Sequence, residues 1–312
     1  MFDFSVKDLG IVPLYVCNLN CDFCLFSHHR FEKNVLLSIE FLRKVLLILK
    51  SEGNRIKSVT IFGGEVSLLP FDYVLSIVES IYQIFPDCFV GIVSNLLEFK
   101  ESYWKPFIER GVKISTSYDG FRFKSKDKKS LQKIWLKNFK KLCNLTGYSP
   151  LILVADSPDV EKVFSFLKEL EVKEISPLRL YVPEETPDEV REKILRFTLP
   201  PGHFAKTCKL ASRYFEMVHL PNENGVSIVN TLLILPENRV VIHGASALGY
   251  PFEKFYYIYP DSEDGITFSS KRLRYIADFL GASVCQSCEI PLECCLAEIR
   301  YPNLCTGKEV CS

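Results

Sequence analysis

The sequence predicts an α/β fold in which a parallel sheet is covered by helices. Two observations carry this. Short apolar runs of strand length alternate with stretches whose apolar residues fall at helical spacing, six strand–helix units in all, and such alternation argues for parallel strands with crossover helices. The cysteine-rich, Gly-rich and polar motifs follow the first four of these strands in turn. They therefore collect at the strands' carboxyl ends, where a barrel of this type carries its chemistry. Chance would scatter them over both ends.

Taken in order, Val12-Pro13-Leu14-Tyr15-Val16 reads as a short buried strand that runs into Cys17-Asn18-Leu19-Asn20-Cys21-Asp22-Phe23-Cys24. Residues 38–50 read as a helix, with Phe41, Val45, Ile48 and Leu49 at helical spacing and Gly53 as its stop. The second strand, 58–62, leads straight into Gly63-Gly64-Glu65. A helix over 72–85 precedes the third strand, 88–93, which ends at Ser94-Asn95. A helix over 103–110 precedes the fourth strand, 112–117, which ends at Tyr118-Asp119-Gly120. Residues 131–142 read as a helix, 151–154 as a strand and 160–170 as a helix, with a sixth strand near 178–182.

A boundary near Pro183 divides a domain of residues 1–183 from one of residues 184–312. Thr186-Pro187-Asp188-Glu189 has the layout of a helix start, with Thr186 as N-cap and Glu189 as the capping-box acid. Leu199-Pro200-Pro201-Gly202 breaks the chain. Residues 226–235 and 239–243 flank Pro236-Glu237-Asn238 and read as a β-hairpin. Residues 270–280 read as a helix. From Cys285 onward the sequence is loop-rich and holds six cysteines.

The chain has 312 residues, 47% of them hydrophobic, enough for one large domain and a small one. Lys+Arg and Asp+Glu both number 38. That balance lacks the electrostatic footprint of a nucleic-acid binder, so no nucleic-acid partner is expected. The basic run from Arg122 to Lys129 reads as a solvated loop. No apolar stretch reaches membrane-spanning length, and the first ten residues lack a signal-peptide layout, so the cytosol is the expected compartment. Twelve cysteines there point to metal or redox chemistry rather than to disulfides. Cys88, in a strand, and Cys143, at a helix end, read as small buried apolar residues. His28 and His29 read as a solvated loop.

Cys17, Cys21 and Cys24 are spaced to close round one metal centre as thiolates. A tetrahedral zinc or an ordinary four-iron cluster takes four protein ligands, and this motif offers three. Three cysteines leave one iron open to another ligand. The competing readings are a zinc knuckle and chance clustering. The gap pattern, with the aromatic Phe23 before the third cysteine, resembles the cluster loop of the radical S-adenosylmethionine (radical SAM) enzymes. The resemblance implies a partial (β/α)6 TIM-type barrel. It also implies a [4Fe-4S] cluster whose open iron binds the amino and carboxylate groups of S-adenosylmethionine. Reductive cleavage of that cofactor would release a 5′-deoxyadenosyl radical, with an electron donor such as flavodoxin or ferredoxin as partner.

Gly63-Gly64-Glu65 is similar to the family's Gly-Gly-Glu motif, which holds the cofactor's amino group. The glycines allow close backbone approach, and a carboxylate suits an ammonium. A tight turn with a surface glutamate is the plainer alternative. Ser94-Asn95 and Ser117-Tyr118-Asp119-Gly120 resemble the polar motifs that contact the cofactor's ribose and carboxylate, with Ser117 and Asp119 as the contacting groups. Turn chemistry explains each of them as well.

At the carboxyl end, Cys285, Cys288, Cys294, Cys295, Cys305 and Cys311 form a second set of candidate ligands, to which Cys208 adds a seventh cysteine. CxxC spacing also serves zinc. The pattern CxxC-x5-C after a hairpin resembles the SPASM and twitch extensions, small cluster-binding domains that hold one or two auxiliary [4Fe-4S] clusters. Two departures stand out. The stretch after the hairpin, Val241-Ile242-His243-Gly244-Ala245, has no cysteine, and Cys294 and Cys295 are adjacent. The resemblance implies one auxiliary cluster on Cys285, Cys288 and two of Cys294, Cys295, Cys305 and Cys311. If there is a second, Cys208 is a ligand of it.

Enzymes with such extensions mostly modify a peptide or protein, so side-chain modification by hydrogen abstraction is the leading expectation. With the cluster loop starting at Cys17, no leader-binding domain is expected before it. A small-molecule substrate or cofactor precursor is the second expectation. A non-catalytic iron–sulfur carrier or zinc module is the third, and it has no need of Gly63-Gly64-Glu65.

Overall fold

In a computed structural model the described residues are 6–21, 23, 24, 26, 35–51, 53–120, 128–178, 203–219, 231–236 and 238–242, with isolated positions between 188 and 199. They build one nine-stranded sheet in the order β7-β6-β5-β4-β3-β2-β1-β8-β9. Strands β1 (Asp8–Ile11), β2 (Ser58–Ile61), β3 (Phe89–Ser94), β4 (Lys113–Ser117), β5 (Ile152–Ala155) and β6 (Glu174–Leu178) run parallel in chain order. Beyond β6 lies β7 (Met217–Val218), also parallel. On the other side β8 (Thr231–Leu235) pairs parallel with β1 and antiparallel with β9 (Arg239–Ile242). This is the parallel α/β, partial TIM-type architecture expected from the alternation.

The helices are α1 (Ile39–Ser51), α2 (Phe71–Ile84), α3 (Glu101–Glu109), α4 (Lys128–Thr146), α5 (Val160–Glu169) and α6 (His203–Tyr214). Each buries one stripe. In α1 it is Phe41, Leu42, Val45, Leu46 and Leu49, and in α5 it is Val160, Val163, Phe164 and Leu167. That spacing is the one an amphipathic helix lays on a sheet. The Ser38 hydroxyl caps α1 by accepting the Phe41 N–H at 3.2 Å, and the Ser38 N–H donates to Asn238 Oδ1 at 2.9 Å. The turn of the β8–β9 hairpin thus ties down the start of α1, 200 residues away.

Two expectations need correction. The first strand is Asp8–Ile11, not 12–16. Asp8 and Gly10 are poor strand formers, which hid it. The Val12 N–H still donates to the Ile234 carbonyl of β8 at 2.8 Å, and from Pro13 on the chain leaves the ladder: Pro13 has no N–H to give, and the carbonyls of Leu14 and Val16 accept the N–H groups of Gly64 and Glu65 at 2.9 and 2.8 Å. The sixth strand is Glu174–Leu178, not 178–182. Its Pro177 argues against a central strand, but β7 covers only Glu174 and Ile175, so Pro177 sits where β6 is an edge. The hairpin is present over residues 231–242, but it joins the main sheet rather than standing beside it. The helix expected at 270–280, most of the helix start at 186–189, and every residue from His243 on lie outside the described residues.

Most apolar side chains fill one continuous core between sheet and helices. A second, small cluster of Val12, Tyr15, Leu233 and Leu235, with Phe26 and Phe62 against it, lies at the carboxyl ends of β1, β2 and β8. Phe26 packs 5.4 Å from Tyr15 and 6.5 Å from Phe62, centroid to centroid. These residues anchor the far end of the cysteine loop to the sheet.

Candidate cluster and cofactor site

The cysteine loop begins where residues 12–16 end. The Cys24 N–H donates to the Cys21 carbonyl at 3.1 Å, a tight turn that folds the loop back, and the Leu19 N–H points at Cys17 Sγ at 3.4 Å. None of the three cysteines is in a disulfide, and each is partly exposed. Phe23 is buried between Cys21 and Cys24.

Gly63 and Gly64 sit where no side chain fits. A Cβ on Gly63 would come 2.4 Å from Val12 Cγ1, and one on Gly64 would come 2.1 Å from the Val16 carbonyl oxygen. Gly63 also has φ +124, a conformation that favours glycine. The pair lets the loop after β2 lie flat on the segment that carries Cys17.

Glu65 is turned inward and only 1% exposed. Its Oε1 accepts Ser94 Oγ at 2.7 Å and the Ser67 N–H at 3.1 Å, and its Oε2 accepts the Asn95 N–H at 2.7 Å. A carboxylate offers about four acceptor sites, so one remains, on Oε2. The surface-glutamate alternative is thereby excluded. Beside it, the Tyr103 hydroxyl donates to the Val66 carbonyl at 3.0 Å, and burial together with the Glu65 carboxylate raises the pKa of that phenol.

Asn95 joins this network to the cysteine loop. Its side-chain amide donates to Asn18 Oδ1 at 2.7 Å and approaches Cys17 Sγ at 3.7 Å, while its Oδ1 accepts the Leu97 N–H at 3.0 Å. Leu96 follows with φ +55, fully buried, and its carbonyl accepts Asn138 Nδ2 at 2.8 Å. So Cys17, Glu65, Ser94 and Asn95, from three different strand ends, form one hydrogen-bonded unit. Ser117 and Asp119 are buried one strand further along the same edge, and Gly120 makes the turn with φ +73. Tyr118 packs on Trp135 at 4.5 Å and receives Gln132 Nε2 at 2.6 Å, and burial raises its pKa to about 12.

Several groups here escaped the sequence reading. Asn18 was legible only as part of the cysteine spacing, and Ser67 and Asn138 carried no motif. At the carboxyl end of β5, buried Asp156 accepts Thr207 Oγ1 at 2.5 Å and faces His203 Nδ1 at 3.0 Å, fastening the first turn of α6 to the sheet. Cys208 lies beside this fastening. Burial, then the neighbouring Asp156 carboxylate, raises its thiol pKa to about 12, a setting that disfavours the thiolate a cluster ligand must be. Cys88 is buried and Cys143 half-buried, each with a thiol pKa raised by burial to about 11, as small apolar residues would have. The six cysteines from Cys285 to Cys311 lie outside the described residues, as do His28 and His29.

Three thiols on one loop at the first strand end, and a glycine-opened loop with an inward carboxylate at the second, define a class of cluster-dependent barrel enzymes. The sequence model of the Radical SAM superfamily matches residues 11–196, and the chain belongs to that superfamily. Its members are enzymes that use a [4Fe-4S] cluster and S-adenosylmethionine. Among the described residues no three or more cysteine, histidine or acidic side chains are gathered into a metal-holding group; the donor set fits that cluster by its chemistry, three partly exposed thiols on one loop with N–H groups directed at the sulfur of Cys17.

Among solved structures the chain is similar to native anSMEcpe with bound AdoMet, at TM-score 0.63 and 17% identity over 92% of this chain and 88% of that one. It is similar to Streptococcus suis SuiB bound to S-adenosylmethionine, at TM-score 0.63 and 14% identity over 99% and 77%. It is also similar to HydG, a maturase of the [FeFe]-hydrogenase, at TM-score 0.52 and 16% identity over 88% and 64%. At such identities the likeness is one of fold. A search of curated proteins finds no match. Among the described residues no helix is long and apolar enough to cross a membrane.

Proposed function

We propose that this radical SAM enzyme abstracts a hydrogen atom from a peptide or protein side chain. The hydrogen-bonded unit of Cys17, Asn95, Ser94 and Glu65 carries the site assignment, since it couples a cluster ligand to the cofactor-holding loop. Peptide chemistry is supported by the fold shared with anSMEcpe, one structure of which holds AdoMet and the Cp18Cys peptide.

In this reading Cys17, Cys21 and Cys24 hold the cluster, which supplies the electron that cleaves S-adenosylmethionine. Gly63 and Gly64 open the backbone to the cofactor. Glu65 offers its remaining acceptor site to the cofactor's ammonium. Phe23, Ser94, Asn95, Ser117 and Asp119 line the rest of the pocket. Cys285, Cys288 and two of Cys294, Cys295, Cys305 and Cys311 hold an auxiliary [4Fe-4S] cluster in a SPASM- or twitch-like domain of residues 184–312. Cys208 belongs to that set only if there is a second auxiliary cluster. A flavodoxin or ferredoxin supplies the electron in the cytoplasm.

The experiment is anaerobic reconstitution followed by reduction with S-adenosylmethionine present. The native chain should release 5′-deoxyadenosine. With Cys17, Cys21 and Cys24 together changed to Ala, that product should vanish and about four irons per chain be lost, since the thiolates are the ligands. Unchanged iron in the triple variant would refute the assignment.

A further inference from the structure

The two amide hydrogens of Asn95 go to the cysteine loop: one to Asn18 Oδ1 at 2.7 Å, the other toward Cys17 Sγ at 3.7 Å, within reach given the size of sulfur. Cys17 receives a second N–H, from Leu19, at 3.4 Å. As a thiol Cys17 also points at Asn18 Oδ1, at 3.9 Å. Both N–H groups are directed at this one sulfur. Asn95 is held from behind as well: its backbone N–H is fixed on Glu65 and its Oδ1 on the Leu97 N–H. Its amide cannot swing away without breaking that turn.

We propose that Asn95 is a positioning residue that sets the reduction potential of the cluster by donating a hydrogen bond to the ligand sulfur of Cys17. Reduction adds negative charge that spreads onto the sulfurs, and an N–H directed at a sulfur stabilises it, so the potential rises. The idea rests on the cluster assignment above. It differs from a ribose-contacting role for Asn95, which would leave the cluster's potential alone.

The test is a redox titration of the reconstituted protein, followed by electron paramagnetic resonance, without S-adenosylmethionine. Asn95→Ser keeps a short hydroxyl that can cap the Leu97 N–H but cannot reach Cys17. It should make reduction about tenfold less favourable, a shift of about 59 mV to more negative potential for one electron. Asn18→Ala removes the loop contact and leaves the N–H to sulfur in place, so its potential should stay at the native value.

Unmoved potential in Asn95→Ser with its cluster intact would overturn the proposal. An equal shift in both variants would overturn it too, because the effect would then pass through the loop. If Asn95→Ser takes up no cluster, Asn95→Gln decides: its longer amide still offers N–H groups, and a native potential supports the donor role while a shifted one refutes it. A native chain that binds no four-iron cluster would fail earlier and refute the functional assignment itself.

Discussion

Glu65 is the residue on which three strand ends converge. Replacing it by Ala leaves the Ser94 hydroxyl and the N–H groups of Ser67 and Asn95 facing a hole. Each buried donor left without an acceptor costs about 1–3 kcal/mol. Glu65→Ala should therefore lower the melting temperature of the cluster-free protein as well as weaken S-adenosylmethionine binding by roughly one to two decades. Calorimetry on both forms separates the effects. Unchanged stability would show that the network is not formed in solution.

The buried thiols answer to pH in a defined direction. Cys88 and Cys143 have their pKa raised to about 11 and Cys208 to about 12, from an ordinary value of 9.0. Between those limits the unfolded chain loses thiol protons that the folded chain keeps. The stability owed to neutral thiols is thus intact below pH 9 and declines as pH rises toward 11 to 12. At pH 8 their thiolate fraction is on the order of a thousandth or less. Brief alkylation of cluster-free protein at that pH should label Cys17, Cys21 and Cys24 and spare these three, as peptide mass spectrometry would read. Fast labelling of Cys208 would instead mark it as an available ligand.

Among the elements, β8 was legible as half of a hairpin, because apolar runs flank Pro236-Glu237-Asn238. Its place beside β1 was not. Alternation of side chains says which face of a strand is buried but not which distant strand it joins. The same limit hid β1 itself, whose pairing on both sides compensates for Asp8 and Gly10. By contrast α1, α2 and α5 were readable almost to the residue, since a helix makes its own hydrogen bonds and declares its buried stripe locally. The site residues followed the same division. Cys17 and Gly63-Gly64-Glu65 were visible as local motifs, while the inward turn of Glu65 and its link to Cys17 through Asn95 depend on three loops meeting.

From this element a prediction follows for the cluster. Leu235 packs with Tyr15 and Val12 where Phe26 pins the cysteine loop. Leu235→Ala should cost about 2–5 kcal/mol and release iron to a chelator faster than the native protein does, at a temperature where both remain folded. Equal release rates would mean that the loop does not lean on β8.

At the scale of the whole molecule, the described sheet and the cysteines from Cys285 onward pose one joint question. CxxC supplies two of the usual four ligands of a cluster. Changing Cys285 and Cys288 to Ala should remove about four irons and abolish substrate turnover while 5′-deoxyadenosine is still released. Loss of zinc with full iron would make the carboxyl-terminal segment a structural zinc site.

The pairing of β1 with β8 also bears on how the protein is made. Thr231 lies about 220 residues after Ile11, yet the two strands are neighbours in the sheet. At roughly 5–20 residues per second on the ribosome, β1 waits on the order of 10–40 s for its partner. Throughout that time Val12, Tyr15 and the anchoring phenylalanines lack the cover of Leu233 and Leu235. Such late, non-local closure is the slow kind. The cysteine loop therefore gains its full anchoring only after Leu235 has emerged, long after its own three thiols.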